Sequence, residues 1–322
     1  MKKSGLSLIL NYNINTSIAF VAIVLFFIIF TPNHLFIDLR NLASMGKLIP
    51  DLGIVALGVG MLMICGEFDL SIASLIPLCS YVFVTLLMKG INPALALIIL
   101  LPVGAALGFI NGIIVVKTGL PSFIITLSTM MFWRGVVFSL SRMSPISITK
   151  YISPHPSFEK MLTGTIGRFP LQVIWFVVVA IILGLLLHFT KFGNWIFATG
   201  SSKETARAMG INTNMVKTTC YIIIGVLCAV VCTLQSVRLG SFNATQGVGF
   251  ELKTIAAAVV GGTSLRGGVG NMLNIFLGIL IIKIIENGLI LMKVPVFAVE
   301  TFIGLAIILF VIINNFIQRQ MT

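Results

Sequence analysis

The sequence predicts an all-α fold, a polytopic transmembrane helical bundle of about ten spans, and three observations predict it. Of the 322 residues, 58% are apolar and only 9% charged, far from the composition of soluble domains, which are about half apolar and a quarter charged. Apolar stretches long enough to cross a hydrocarbon core of ~30 Å recur from end to end. The breaks between them carry the residues that stop helices: Gly66, Gly90 through Pro93, Gly119 through Pro121, Gly193-Asn194 and Gly267-Gly268. No segment has the composition of a separate soluble domain, so 1–322 reads as a single membrane domain.

In order, the apolar runs lie at about 15–31, 48–66, 69–88, 93–116, 121–141, 170–190, 215–238, 251–265, 269–291 and 295–315. Each is expected to be helical, because an open strand in lipid leaves backbone groups unpaired at several kcal/mol apiece. Lys2-Lys3 ahead of Ile18–Phe30 mimics a signal peptide, but Thr31-Pro32-Asn33 offers no small-residue cleavage pattern, so an uncleaved first span is expected. The eighth run is short for a crossing, which leaves a steep core helix or a re-entrant segment. Two longer polar loops, about 142–169 and 191–217, fall on opposite sides of the membrane if the span count is even, with both termini on one side. Loop Lys and Arg are too evenly divided for the positive-inside rule to choose the orientation.

The net charge of +12 does not point to nucleic acid. A nucleic-acid protein gathers its basic residues on a polar face, whereas here they stand singly, mostly at the ends of apolar runs, as membrane-surface anchors do. Cys65, Cys79, Cys220, Cys228 and Cys232 all lie in or beside apolar runs without a CxxC or Cys/His pattern, so neither a disulfide nor a metal is expected. His34, His155 and His188 are far apart and offer no metal or nucleophile constellation, which argues against an enzyme.

Several polar residues interrupt the apolar sequence. Glu67, Asp69 and Ser71 stand beside the Gly66 break; either Asp69 or Ser71 caps the third helix, or the break lines a water-filled path, where a carboxylate accepts hydrogen bonds from sugar hydroxyls. Arg134 lies two-thirds along the fifth span and either snorkels to the surface or faces an intramembrane carboxylate. Lys283, Glu286 and Asn287 share one helical face through their spacing of three and four, as a structural ion pair or as a polar path lining. Gly261 through Gly268 looks like a phosphate cradle but has Val269-Gly270 where a P-loop needs Lys and Ser/Thr, so it reads as a tight interhelical turn without ATPase chemistry. Gly104, Gly108 and Gly112 repeat every four residues, the spacing that lets helices approach closely. The stretch Gly200 through Ile211 reads as a short amphipathic helix closed by Gly210. Alone in water it is marginal, so it either docks on a partner or is a solvated connector.

Taken together and in order, these residues resemble the ribose-type permeases of bacterial ATP-binding cassette (ABC) importers, from about Thr31 to Ile313. The stretches that carry the resemblance are Asp69-Leu70-Ser71, Pro121 through Ile124, Thr126-Leu127, Arg134-Gly135, Ser144 through Ile146, Gly200 through Ile211, Glu251 through Ala257, Gly261 through Ser264 and Asn287 through Leu289. The resemblance implies about ten helices per subunit, as in the vitamin B12-type importer fold, with two permeases around a central path, the second a copy or a paralogue. It implies a cytoplasmic ATPase with two nucleotide-binding modules that holds ATP and Mg, and a periplasmic or lipoprotein sugar-binding protein. No cofactor is expected on this chain.

On that reading the chain is a multi-pass protein of the bacterial inner membrane with both termini cytoplasmic, and it translocates a pentose or hexose. The 191–217 segment is the cytoplasmic coupling element, with Lys203, Glu204, Ala206, Arg207, Gly210 and Ile211 as contacts to the ATPase; the 142–169 loop faces outward, where the binding protein docks. Glu67, Asp69, Ser71, Thr126, Arg134, Glu286 and Asn287 are the candidate path residues. Glu67, Lys253, Lys283 and Glu286 depart from the family pattern, which leaves the substrate open. The competing readings are an ion-coupled secondary transporter of a small polar solute, with Glu67, Asp69 and Glu286 as proton carriers, and an ABC permease for nucleosides or branched-chain amino acids.

Overall fold

The computed structural model describes residues 5–321, with side-chain environments for 16–295, 297–308 and 312; Lys2-Lys3 lies outside the described residues. The first half of the chain folds into α1 (Gly5–Phe30), a 3₁₀ segment (Pro32–Ile37), α2 (Leu39–Ile64), α3 (Ile72–Met88), α4 (Pro93–Thr118) and α5 (Ser122–Ser141). Next come β1 (Ile146–Ser147), α6 (Thr149–Ile152), α7 (Pro156–Thr163), β2 (Thr165–Ile166), β3 (Phe169–Pro170) and α8 (Leu171–Phe189). The remainder is α9 (Lys191–Ser201), α10 (Lys203–Ala208), α11 (Thr213–Leu239), β4 (Ser241–Phe242), α12 (Phe250–Val260), α13 (Met272–Leu291) and α14 (Val296–Met321).

All ten apolar runs contain a helix. Among the described residues six of these helices are long and apolar enough to cross a membrane, α2, α4, α5, α8, α11 and α13, with shorter apolar segments at Thr16–Phe30, Ile72–Met88 and Phe297–Ile308. The eighth run, α12, has 11 residues; at 1.5 Å per residue it is about 16 Å long, roughly half the hydrocarbon thickness.

Local chemistry sets the helix ends. Asp38 caps α2 by accepting from Arg40 N (2.7 Å), Asn92 caps α4 from Ala94 N (2.9 Å) and Asn271 caps α13 from Leu273 N (2.8 Å). Gly119 and Gly240 end α4 and α11 in the left-handed conformation.

Packing is built on missing side chains. On α4, a Cβ at Gly104 or Gly108 would collide with the main chain of α11 at Gly225 and Tyr221, and one at Gly112 with Thr218. The four-residue glycine spacing therefore seats α4 against α11. The buried helix α2 is a hub: Gly53 receives Phe176 of α8, Gly58 receives Leu227 of α11 and Gly60 receives Ile275 of α13. Peripheral helices carry apolar side chains outward, among them Ile98, Phe132 and Leu185, as a surface facing lipid rather than water requires.

Two ends of the bundle are distinct. At one end the α2–α3 turn meets the start of α5, where Phe68 N donates to Ser122 Oγ (3.0 Å), and α11, whose Tyr221 hydroxyl donates to Phe68 O (2.9 Å). The α9–α10 segment and the 261–270 turn join them there through Gly66, Gly200, Gly267 and Gly268. At the other end the 142–170 region is pinned by small antiparallel pairings absent from the all-helical expectation: β1 on β4 (Ile146 with Phe242) and β2 on β3 (Ile166 with Phe169).

Candidate functional site

Between α2, α11, α12 and α13 lies a cavity of about 390 Å³. Its walls come from Met45, Leu48, Ile49 and Asp51 of α2, Gln235, Arg238 and Leu239 of α11, and Lys283, Glu286, Asn287 and Ile290 of α13; Gln246, Gly247 and Phe250 complete it from the approach to α12. Helical spacing aims these groups. Gln235 and Arg238 are three apart on α11, and Lys283, Glu286 and Asn287 occupy one face of α13, so each helix presents a polar stripe from an otherwise apolar surface.

The charged groups form a pair, Arg238 with Asp51, and a triad, Lys283, Glu286 and Lys253. Arg238 Nη2 bonds Asp51 Oδ2. Lys283 Nζ bonds Glu286 Oε2 at 2.8 Å, and Lys253 Nζ, from α12, bonds Glu286 Oε1 at 3.2 Å. Asn287 and Asn41 exchange amide hydrogen bonds of 3.0 and 3.1 Å, tying α13 to the start of α2. Pairing is what makes such charges tolerable inside a bundle.

Other polar atoms of the wall are unsatisfied within the chain. Among the described residues Asp51 Oδ1, Arg238 Nε, Gln235 Oε1 and both amide atoms of Gln246 are buried without a hydrogen-bond partner. A buried unpaired polar group costs about 1–3 kcal/mol, so the cavity holds both donors and acceptors in need of a counterpart. Gln246 belongs to the irregular stretch ahead of α12, where Gly247 and Gly249 have φ of +77° and +84°. Non-helical backbone within a membrane bundle is tolerated where protein or a water-filled cavity surrounds it.

The candidate path residues separate into two groups. Glu286 and Asn287 line the cavity. Glu67, Asp69, Ser71 and Thr126 lie at or near the opposite, α2–α3 turn, end. Asp69 is fully buried; its Oδ1 accepts from Ser71 N (2.8 Å) and Ser71 Oγ (2.5 Å), closing the turn into α3, and Ser71 Oγ also accepts from Asn111 Nδ2 (2.7 Å). The Asp69 bond to Ser71 N closes the turn ahead of α3 without capping the helix, which has no side-chain cap at Ser71. Thr126 is buried and donates to Ser122 O (2.8 Å). Glu67 pairs with Lys217 of α11. Arg134, half-buried on α5, forms no ion pair among the described residues, and its Nη2 is buried without a partner.

The expected single helix from Gly200 to Gly210 is two. Ser202 is extended (φ −158°, ψ 108°), ends α9 and caps α10 by accepting from Thr205 N (3.3 Å). A serine competes with the helix in this way by bonding the following backbone. Lys203, Glu204, Arg207 and Gly210 are exposed, Ile211 is half-buried and Ala206 is fully buried. Arg207 is held by Thr213 Oγ1 (3.0 Å) and Asn214 Oδ1 (2.9 Å). Burial, with Lys217 and Arg207 nearby, holds the Lys203 ammonium below the usual lysine range. The glycine-rich 261–268 stretch is packed rather than open: Gly268 N donates to Ile64 O (2.8 Å), and a Cβ at Gly267 would sit 2.8 Å from Gly66 Cα.

Asp51, Gln235, Arg238 and Gln246 line the cavity but were missing from the sequence-derived path; Lys253 entered the sequence reading only as a departure from the family pattern. Asp51 and Arg238 are charges near the ends of apolar runs, the pattern that reads as anchoring. Their pairing spans 187 positions, which only the folded bundle brings together.

A bundle of apolar helices closed around a charged, hydrogen-bonding cavity defines a membrane transport subunit. The chain matches, over residues 42–313, the family described as branched-chain amino acid transport system / permease component, and it belongs to that permease family. It is 33% identical over 93% of its length to the xylose/arabinose import permease protein XylH of Sulfolobus acidocaldarius, covering 83% of that protein. It is 32% identical to the ribose import permease protein RbsC of Bacillus subtilis (91% of this chain, 90% of the relative) and 32% identical to the D-allose transport system permease protein AlsC of Escherichia coli (83% and 80%). No solved structure gives a significant match.

Proposed function

We propose that the chain is the membrane-spanning permease of an ATP-driven importer for a monosaccharide. The observation that carries this reading is the cavity whose wall offers unpartnered donors and acceptors side by side: Arg238 Nε and Gln246 Nε2 against Asp51 Oδ1, Gln235 Oε1 and Gln246 Oε1. A sugar hydroxyl both donates and accepts, as any hydroxyl does, and the apolar wall from Met45, Leu48 and Phe250 suits the C–H faces of a ring. The sugar permeases among its relatives agree with this choice over the amino acids named in the family description.

In this reading about ten helices per subunit form a vitamin B12-importer-like architecture, with α12 running through part of the membrane. Two permeases, this chain with a copy or a paralogue, enclose the path. The chain lies in the bacterial inner membrane with both termini cytoplasmic. The α9–α10 end then faces the cytoplasm, and Lys203, Glu204, Arg207 and Gly210 meet an ATPase whose two nucleotide modules hold ATP and Mg. The 142–170 end receives a sugar-binding protein. Closure of the ATPase drives alternating access, and a weakly binding cavity suffices because the binding protein supplies the affinity.

The test is reconstitution in proteoliposomes with the ATPase and sugar-binding protein that this reading calls for. Radiolabelled pentose or hexose accumulates only with ATP. Accumulation by the chain alone under a proton or sodium gradient sinks the proposal and favours the ion-coupled reading, which needs a carboxylate free to exchange a proton. Of the three carboxylates that reading names, Glu67 and Glu286 are ion-paired, while Asp69 bonds Ser71 and has no cation beside it among the described residues.

A further inference from the structure

We infer that Gln246 sets the specificity of the cavity by pairing its side-chain amide with two hydroxyls on neighbouring carbons, so that the solute class is a vicinal diol. The inference rests on the reading of the cavity as a sugar path. Gln246 belongs to the cavity wall and is only 8% exposed. Its main chain is held in place: Gln246 N donates to Asn243 O (3.1 Å), and Asn243 Oδ1 accepts from Thr245 N (3.0 Å) and Thr245 Oγ1 (2.9 Å). On the other side Phe250 N donates to Gly247 O (3.0 Å). The side chain is not held: among the described residues neither Oε1 nor Nε2 has a partner. The local fold therefore fixes where the amide stands and leaves both of its functions to whatever enters the cavity.

A primary amide offers an acceptor and a donor side by side. Two hydroxyls held gauche on adjacent ring carbons meet both, one donating to Oε1 and the other accepting from Nε2. Turning the amide over exchanges the two roles and keeps the pairing. A carboxylate only accepts and an ammonium only donates, so either one leaves half of the Gln246 amide buried and unpaired. A zwitterionic amino acid brings both, but as full charges, and the wall charges that would answer them, Asp51 and Arg238, are already paired with each other. The other unpartnered groups of the wall, Gln235 Oε1, Asp51 Oδ1 and Arg238 Nε, present one atom each. Of these four side chains Gln246 is the one that offers a free donor and a free acceptor together. A site that bonds a hydroxyl rejects the analogue lacking it, because its own polar group is then stranded.

The experiment compares D-ribose, 2-deoxy-D-ribose, 3-deoxy-D-ribose and L-leucine on the full-length chain in nanodiscs, by saturation-transfer NMR, which reads weak binding. Each deoxy sugar lacks some of the neighbouring hydroxyl pairs. At least one of them is expected to bind about tenfold more weakly than ribose, the equivalent of one hydrogen bond. In Gln246→Leu the sugars bind equally. That variant melts no lower than the parent chain, because an apolar side chain of similar size replaces an unpaired amide. Three results overturn the inference while the sugar reading stands: deoxy sugars that bind as tightly as ribose, a discrimination that survives Gln246→Leu, or a clear drop in melting temperature, which places the amide in a bond within the fold. Absence of binding by every sugar, or a preference for leucine over ribose, overturns the inference and the sugar reading together.

Discussion

Arg238 in the last turn of α11 and Asp51 on α2 are ion-paired, yet each keeps one polar atom, Arg238 Nε and Asp51 Oδ1, without a partner among the described residues. The pair is therefore both a strut between two central helices and part of a wall able to bind something further. Both side chains are largely buried, at 19% and 6% exposure, so neither tolerates losing the other.

Asp51→Asn strands the Arg238 guanidinium. Removing one partner of a buried pair costs about 3–5 kcal/mol, so thermal denaturation in detergent should show a clear loss. The double variant Asp51→Asn with Arg238→Gln should recover part of it, and purely additive losses would refute the strut.

Glu286→Gln should be more damaging than Lys253→Gln. The first leaves two ammonium groups, Lys253 and Lys283, without their shared carboxylate, whereas the second leaves the Lys283–Glu286 pair intact. Melting temperatures of the two variants in the same detergent decide the order, and equal values would mean the three groups do not act as one cluster.

Gly108→Ala and Gly135→Ala should have opposite signs. A methyl at Gly108 collides with the Tyr221 carbonyl, while nothing lies within 4 Å of the position a Cβ would take at Gly135. Overpacking costs about 1–3 kcal/mol, and alanine is favoured over glycine in a helix by about 1 kcal/mol. Size-exclusion profiles after a heat challenge read both effects.

The docking proposed for an ATPase at α10 is best probed at Met209, the residue just after that helix, which is 64% exposed. Ala206, one of the contacts expected from the sequence, is fully buried, and an aspartate there would disturb the fold itself. Met209→Asp should abolish co-purification of the ATPase without changing membrane insertion or melting temperature; unaltered co-purification would reject α10 as the contact.

What the sequence disclosed follows from the range of the interactions. Gly104, Gly108 and Gly112 announce a close helix contact because the spacing is local, but not that the partner is α11. Lys283, Glu286 and Asn287 were legible as a polar face because a helix turns every 3.6 residues, whereas the third charge on Glu286, from Lys253, required α12 to pack beside α13. Asp69 and Ser71 looked equally suited to a cap and to a path; their burial and the bond from Asn111 of α4 to Ser71 Oγ are long-range and had no signal in the local sequence. The division of Gly200–Ile211 into two helices hinges on Ser202, whose hydroxyl outcompetes continued helix, a contest that amphipathic spacing does not register.

At the α2–α3 turn, main chain rests directly on main chain: no Cβ fits at Gly200 against the Ile64 carbonyl, and Gly268 N holds that same oxygen. Rotamers are the usual cushion between helices, and this seam has none to rearrange. On the coupling proposed above, a movement of α9 reaches the turn that follows α12, and the far end of that helix, about 16 Å back along its axis, is Phe250 on the cavity's own rim. One methyl group added at Gly200 would have no room in that seam.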